Sequence, residues 1–498
     1  KGNVMEDFMK ERAAGVLLHI SSLPGRYGIG TLGRSAYKFV DLLAGGGIRY
    51  WQILPLVQTG FGDSPYQSVF SGSGNPYFID PEILAKEKLL TKEELSAYAV
   101  QGARVDYSSL YQTRYEMLRL AFSRFDTGEE QFRSFVQEGT FDGYALFMAL
   151  KEEFGGEPFS RWPAEYKFAK KRSLQKFKEE HGREYLFWQF VQYQFEKQWR
   201  ALKNYANERG VRIIGDIPLY VAYDSVDVWL NPSLFKLNPD RSMQKIAGVP
   251  PDCFSATGQL WGNPVYRWSA HRREKYAWWI GRLRQAFSYY DVIRVDHFRG
   301  FDRYYEIEAG AETAERGRWC RGPKAELFRA AEEALGRLPV IAEDLGLLDA
   351  GVRRLLADTG YPGMKVLQFA FDGNRRNTYL PKYIPENSVC YTGTHDNDTT
   401  LGYVRSLRGK EYSRFLRQLQ GVLREEGLSA ELPDKRAAAA AIVRLALHSR
   451  AKLAVIPVQD ILLLGSDARM NTPSTVGCNW EFRLKRLPKR EKLQILRE

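Results

Sequence analysis

Eight short runs of apolar, largely β-branched residues recur along this chain, each closing on polar, Gly or Pro residues. They are Gly15–Ile20, Tyr50–Leu56, Val211–Pro218, Val292–Phe298, Pro339–Leu345, Met364–Phe371, Ser388–Thr394 and Leu453–Ile461. Runs of this length without a polar face read as strands buried on both sides. Helical patterns separate most of them: Ser35–Ala44, Tyr185–Arg209, Arg272–Phe287, Lys324–Leu335, Gly351–Asp358, and the pair Lys410–Glu426 and Lys435–His448. Alternation of strand and helix implies a parallel sheet. Eight such units suggest a closed (β/α)8 barrel, a TIM barrel, because an open doubly wound sheet more often has five or six strands.

The spacing exposes insertions. Strands two and three lie about 150 residues apart, far more than one crossover helix needs. Residues 1–58 are therefore expected to begin the barrel, and 59–183 to form a mainly helical insertion with amphipathic stretches at Tyr111–Phe125 and Phe141–Phe154. Residues 184–219 return to the barrel. Residues 220–267, rich in Pro, Gly, Asn and Trp, read as a loop-rich insertion over the catalytic face, and 268–498 as the remaining barrel with helical additions. Long irregular loops are usually functional.

At 498 residues the chain is longer than a single core usually supports. Its net charge of +12 raises the question of nucleic acid, but the basic residues are dispersed and interrupted by acids around Lys167–Lys178 and Arg483–Lys492. No nucleic-acid motif accompanies them, and a solvated face is the expectation. Aromatic residues make up 13%, which serves either sugar stacking or a large core. The four cysteines (Cys253, Cys320, Cys390, Cys478) form no CxxC pair, and this argues against a zinc site or disulfide framework and for a reducing compartment. The first fifteen residues lack the apolar segment of a secretory signal, and no run of eighteen apolar residues occurs. A soluble, cytoplasmic protein without membrane contact is expected.

Three of the strand ends carry carboxylates: Arg294-Val295-Asp296-His297, Glu343-Asp344 and His395-Asp396. Parallel β/α folds build active sites at the carboxyl ends of strands. Cleaving an acetal needs one carboxylate to attack or stabilise the anomeric carbon and one carboxylic acid to protonate the leaving oxygen, ~5 Å apart in retaining enzymes. Asp296 and Glu343 would end the adjacent strands four and five. Arg294, two residues before Asp296, points to the same face of its strand and would keep that carboxylate ionised. Glu343 needs a raised pKa instead. Asp396, with His395 before it, adds a third carboxylate at strand seven, in a loop that equally suits a helix N-cap.

Gly28-Ile29-Gly30-Thr31-Leu32-Gly33 satisfies GxGxxG, yet SSLPGRY separates it from the strand and no acid lies near residue 53. A dinucleotide site needs both, so these glycines are expected to shape the first βα loop. Asn75-Pro76-Tyr77 suits either groove contacts or turn and packing roles. Trp229 reads better as packing, and His19 equally well as a core histidine.

The carboxylate pattern resembles the α-amylase clan, whose fourth, fifth and seventh barrel strands carry nucleophile, acid/base and stabilising carboxylates. More closely the chain resembles the 4-α-glucanotransferases of glycoside hydrolase family 77. It does so through HISSLPGRYGIGTLG (His19–Gly33), WQILPL (Trp51–Leu56), GDSPYQS (Gly62–Ser68), SGNPYFID (Ser73–Asp80) and GDIPLYVAYDSVDVW (Gly215–Trp229). GVPPD (Gly248–Asp252), GQLWGNPVY (Gly258–Tyr266), RVDHFRG (Arg294–Gly300), AEDLG (Ala342–Gly346), TGTHDNDT (Thr392–Thr399), PVQDIL (Pro457–Leu462) and ARMNTP (Ala468–Pro473) follow in order. The resemblance implies Asp296 as nucleophile, Glu343 as acid/base and Asp396 as stabiliser. It implies substrate contacts from Arg294, His395, His297, Asp216, Tyr66 and Ser64, with Asp252, Phe254 and Trp261 in a loop that guides the glucan. Two positions depart from the pattern: Cys253 stands where the loop usually has Tyr, and Phe61 where Tyr commonly precedes GDSPY.

The implied activity trades one α-1,4 bond for another in maltooligosaccharides, amylose, starch or glycogen-derived glucans. It needs no nucleotide sugar, metal or redox cofactor, and no C-terminal β-domain. An α-1,4-glucan hydrolase of the same clan, or a non-catalytic glucan-binding protein, stands as the alternative.

Overall fold

The computed structural model describes residues 8–497 apart from 61, 101, 252–255, 347, 348 and 476. In chain order its strands are β1 (Ala13–Leu17), β2 (Tyr50–Gln52), β3 (Arg212–Ile217), β4 (Lys245–Val249), β5 (Gln259–Pro264), β6 (Val292–Val295), β7 (Arg303–Glu308), β8 (Gly317–Arg321), β9 (Val340–Ala342), β10 (Gly363–Val366), β11 (Ser388–Tyr391) and β12 (Leu453–Pro457). Eight of them close a parallel barrel in the order β1-β12-β11-β10-β9-β6-β3-β2, which is chain order around the circle. Each of the eight expected runs supplies one of these strands.

The strands end sooner than the apolar runs do. The run at Met364–Phe371 leaves the sheet at Val366 and turns into a 3-10 turn over Leu367–Phe369. Apolarity continues because the βα loops fold back over the barrel mouth and bury their own side chains.

Between β2 and β3 the chain is mainly helical, and the excursion ends in the 27-residue helix Gly182–Glu208. Buried Tyr185, Trp188, Gln192, Phe195, Trp199, Leu202 and Ala206 recur on it every three or four residues, the spacing of one helix face. Each fully buried aromatic among them contributes ~1.5–3 kcal/mol. Its buried glutamines do a second job. Gln192 accepts from Gly74 N–H at 2.8 Å and donates to Gly74 C=O at 3.1 Å, and Gln198 accepts from Asp80 N–H at 2.7 Å. The crossover helix thereby pins the loop that leads away from the catalytic mouth.

The structure adds to one expectation and corrects another. Residues 220–267, expected to be loop-rich, also contain β4 and β5, and the segment after β6 contains β7 and β8. Together these make an antiparallel sheet in the order β5-β4-β7-β8, with Lys245 opposite Glu308 and Tyr304 opposite Cys320. The pairing joins segments some sixty residues apart, beyond the reach of local periodicity. The single helix expected over Arg272–Phe287 is two helices, Trp268–Arg273 and Ala277–Tyr289, broken where Lys275 and Tyr276 take positive φ of 52° and 60°. Among the described residues no helix is long and apolar enough to cross a membrane.

The GxGxxG stretch lies in the first βα loop. A side chain at Gly30 would run into the carbonyl of Ile20, and one at Gly33 into the carboxylate of Asp80. Asp80 itself accepts from Thr31 Oγ1 at 2.5 Å. Close backbone approach accounts for these glycines. Trp229 is a packing residue, fully buried against Phe147 and Trp162, its indole N–H donating to Tyr166 C=O at 2.7 Å.

Candidate active site

Parallel register sets the site. Asp216 in β3 pairs with Arg294 in β6, and Val295 pairs with Ala342 in β9. One residue further on, Asp296 and Glu343 emerge side by side at the carboxyl rim. The Asp296 N–H donates to Ile217 C=O at 2.9 Å and the Glu343 N–H to Val295 C=O at 3.0 Å, so the ladder continues through both.

Arg294 joins two carboxylates. Its Nη1 lies 2.6 Å from Asp216 Oδ2 and its Nη2 2.9 Å from Asp296 Oδ1. Its side chain is 4% exposed, and that of Asp216 is fully buried. Burial works against the guanidinium charge, but Asp216 and Asp296 together hold Arg294 firmly protonated. Burial also pushes Asp216 up to about 6 against the pull of Arg294, so it is still ionised at neutral pH. Tyr66 donates its hydroxyl to the same Asp216 Oδ2 at 2.8 Å. Ser64 lies behind Tyr66, its Oγ accepting from the Tyr66 N–H at 3.2 Å.

Glu343 has a different environment. Its Oε1 accepts from Leu345 N–H and its Oε2 from His297 N–H, each at 2.8 Å. Burial, then the negative charge of Asp296, outweighs Arg294 and these two donors, and the carboxyl is pushed up to about 7. His297 reaches its position through a left-handed backbone, φ 51°, which costs a non-glycine residue free energy. The strained conformation aims its N–H at Glu343. Its ring packs edge-on to Trp261 on β5, centroids 4.8 Å apart, and burial, with Arg299 nearby, lowers its pKa to about 3. His297 is therefore a neutral wall.

The third carboxylate, Asp396, is 44% exposed and lies in the loop after β11. Its Oδ1 accepts from Asn471 Nδ2 at 2.6 Å and lies 3.3 Å from His395 Nε2. Arg469 donates to its main-chain carbonyl at 2.7 Å. The ring of His395 stacks on Tyr66 at 5.1 Å and 15°, and Trp480 flanks both at 5.9 Å. These contacts tie the β11 loop to the Asp216–Arg294–Asp296 chain.

Tyr66, Asp216, Arg294, Asp296, Glu343, His395 and Asp396 thus meet at one mouth, with His297 and Trp261 beside them and Ser64 supporting Tyr66. Asp252 and Phe254, with Cys253 and Phe61, lie outside the described residues. Sequence reasoning missed Asn471, Arg469 and Trp480. The first two stand in the ARMNTP motif, but no residue-type pattern links them to an aspartate 75 and 73 positions earlier. His19 is a core histidine. Its Nδ1 accepts from Leu54 N–H at 3.2 Å, and burial lowers its pKa to about 3.

Chemically, the mouth offers one carboxyl that keeps its proton to near neutral pH beside one ion-paired to a guanidinium, the complementary pair that acetal cleavage requires.

Known proteins match this chain throughout. The family model described as 4-alpha-glucanotransferase matches residues 18–489. A 4-alpha-glucanotransferase of Thermus thermophilus is 45% identical over 485 residues, 95% of each chain. One of Clostridium butyricum is 42% identical over 474 residues, 94% of this chain and 95% of the relative. Among solved structures, the amylomaltase from Streptococcus agalactiae in complex with acarbose superposes with a TM-score of 0.92 at 39% identity, covering 98% of each chain. Amylomaltase from Corynebacterium glutamicum shares the fold, with a TM-score of 0.79 at 19% identity over 99% of this chain and 75% of that one. The chain belongs to the 4-alpha-glucanotransferases of glycoside hydrolase family 77.

Proposed function

We propose that this transferase works on maltooligosaccharides and longer α-1,4-glucans through a covalent intermediate on Asp296. Glu343 protonates the glycosidic oxygen as Asp296 attacks the anomeric carbon. The bond to the reducing-side segment breaks, and that segment leaves with its 4-hydroxyl. Glu343, now a carboxylate, takes the proton from the 4-hydroxyl of an acceptor sugar, whose oxygen displaces Asp296 with net retention. Arg294, 2.9 Å from Asp296 Oδ1, holds that carboxylate in place for the attack. Asp216, Tyr66 and His395 hold the glucose at the point of cleavage, and Asp396 favours its distorted, oxocarbenium-like ring. Trp261, beside His297, offers an aromatic face on the acceptor side.

The observation that carries this reading is the contrast between the two neighbouring carboxyls: Glu343 is pushed up to about 7, while Asp296 lies 2.9 Å from Arg294. The amylomaltase from Streptococcus agalactiae is in complex with acarbose, and this supports a carbohydrate ligand for the present chain. A cytoplasmic location fits the unpaired Cys320, Cys390 and Cys478.

Product analysis from maltotriose tests the reading. Transfer yields a ladder of longer oligomers together with glucose. Products no longer than the substrate would replace transfer by hydrolysis, and no turnover at all would leave only glucan binding.

A further inference from the structure

We propose that a cavity on the flank of the barrel, outside the catalytic mouth, is a second carbohydrate site that holds a short α-glucan without reacting with it. The cavity measures about 420 Å³, inside the ~300–1,000 Å³ range of small-molecule sites. It opens between the start of helix Asp142–Glu153, the short helix Val226–Leu230 and the helix Ala277–Tyr289.

Its walls have the chemistry of a polyol site. Phe70 and Trp278, both part-exposed, supply aromatic surface for the C–H faces of a pyranose over the buried Tyr144, and polar groups stand among them. Arg282 is 8% exposed, donates to the carbonyls of Pro218 at 2.7 Å and Leu219 at 3.2 Å, and has an Nε with no partner. Asp227, on the same lining, is 2% exposed and is bonded through both oxygens to Ser71, at 2.8 and 2.7 Å. One buried cation and one buried anion offset each other. A neutral, hydroxyl-rich ligand suits such a lining better than a phosphate or an ammonium, either of which would leave a like charge facing it.

The open space is not a by-product of packing. Gly281 lines it from the interior of helix Ala277–Tyr289, and a β-carbon there would meet nothing within 4 Å. Glycine inside a helix costs stability relative to alanine, and no neighbour requires its small size. The site also reaches the catalytic loop. Ser71, which Asp227 holds, follows by five residues the Tyr66 that donates to Asp216.

The ligand class rests on the glucan substrate proposed above, so the test separates the two. The full-length Glu343→Gln chain, whose turnover should be about 10³ lower, is titrated calorimetrically with maltotriose. Two classes of site are expected, and adding Gly281→Phe, which fills the cavity from a position with room for the ring, should remove one. In the otherwise unmodified enzyme Gly281→Phe should keep kcat on maltotriose within about twofold. A single class in the parent, or two classes that both survive Gly281→Phe, overturns the second site. Competition of that class by inorganic phosphate overturns the neutral ligand. Should Gly281→Phe fail to fold, Trp278→Ala serves instead and should weaken only the flank class, by about tenfold. Failure of the unmodified enzyme to turn over maltotriose would sink the proposed function while leaving the flank titration readable.

Discussion

The catalytic rim between β3 and β9 and the antiparallel sheet of β4, β5, β7 and β8 touch where Trp261 meets His297, yet they are built by opposite rules. At the rim, parallel register places Asp216 beside Arg294 and brings Asp296 and Glu343 out together. The charges there are buried and depend on one another. The sheet packs on the main core through Ala247 and Tyr304 and pairs the buried Glu306 with Lys236 and Arg318, but among the described residues its own satellite core is Ile246, Tyr305, Ile307 and Ala314, and an ion pair such as Lys245–Glu308 reaches into solvent. Position is over-determined in the first region and lightly held in the second. A rim in which Arg294 must bridge Asp216 and Asp296 beside the buried Glu343 needs the former. Substitutions at the rim should therefore cost several times what they cost on the sheet.

The largest effect is expected at Glu343. Replacing it by Gln keeps the size of the side chain but only one of the two acceptors that face Leu345 and His297 N–H, and leaves no proton to give; general acid–base catalysis of this kind supplies ~10²–10⁴ in rate. Turnover of maltotriose should drop by about 10³, with a loss of stability of no more than ~1–3 kcal/mol from the unpaired backbone donor. A variant within tenfold of the parent would move the acid elsewhere.

Arg294→Met comes next. It strands the fully buried Asp216 and leaves Asp296 without its cation, and breaking a buried pair from one side costs ~3–5 kcal/mol. Urea unfolding should show a loss of that size. A loss below about 1 kcal/mol would mean that Asp216 is stable without the guanidinium, against the reading of the rim as one interdependent charge network.

The pH dependence has a definite sign. In the proposed mechanism Glu343 acts in its protonated form, so kcat/KM should fall about tenfold per pH unit above about 7. Stability follows the same group by linkage. A carboxyl whose folded pKa lies above its unfolded value binds more protons in the folded state, so its contribution is full below the unfolded pKa of ~4.3 and is lost as pH rises to about 7. Glu343→Gln should flatten that part of the stability profile. An unchanged slope would assign it to Asp216, which burial pushes up to about 6.

The same contrast explains what was legible in the sequence. Val292–Val295 and Val340–Ala342 are buried on both faces, so the mainly apolar run announces the strand and the carboxylate that follows it, Asp296 or Glu343, marks its end, although Arg294 lies within the first. Asp296 and Glu343 could be found that way. The strands GRWCR and QLWGNP lack a regular buried face and carry Gly, Pro or Arg, and the sheet they belong to is completed by the β4–β7 pairing of segments some sixty residues apart. The break at Lys275–Tyr276 has neither Gly nor Pro to signal it. Asn471 and Arg469 escaped notice because their effect on Asp396 is a tertiary contact with no spacing rule.

Asn471→Ala should accordingly give an intermediate result. It removes the 2.6 Å donor from a carboxylate that is 44% exposed, and water replaces much of what is lost. A hydrogen bond to a charged group contributes ~1.5–3 kcal/mol when shielded, so a fall in kcat of about tenfold is expected, with KM less affected. Rescue by Asn471→Gln but not by Asn471→Leu would show that the amide orients Asp396 rather than filling space.

The smallest effect belongs to the sheet. Lys245 pairs with Glu308 across β4 and β7, where Glu308 is 73% exposed. Exposed ion pairs contribute ~0–1 kcal/mol because solvent screens them and two long side chains lose freedom in forming them. Lys245→Ala should therefore shift the unfolding free energy by less than about 1 kcal/mol and leave kcat on maltotriose alone. If it lowered activity as much as Asn471→Ala does, the sheet would have to share in orienting the catalytic groups. The contact between Trp261 and His297 is the route by which it would act, since His297 supplies one of the two backbone donors to Glu343.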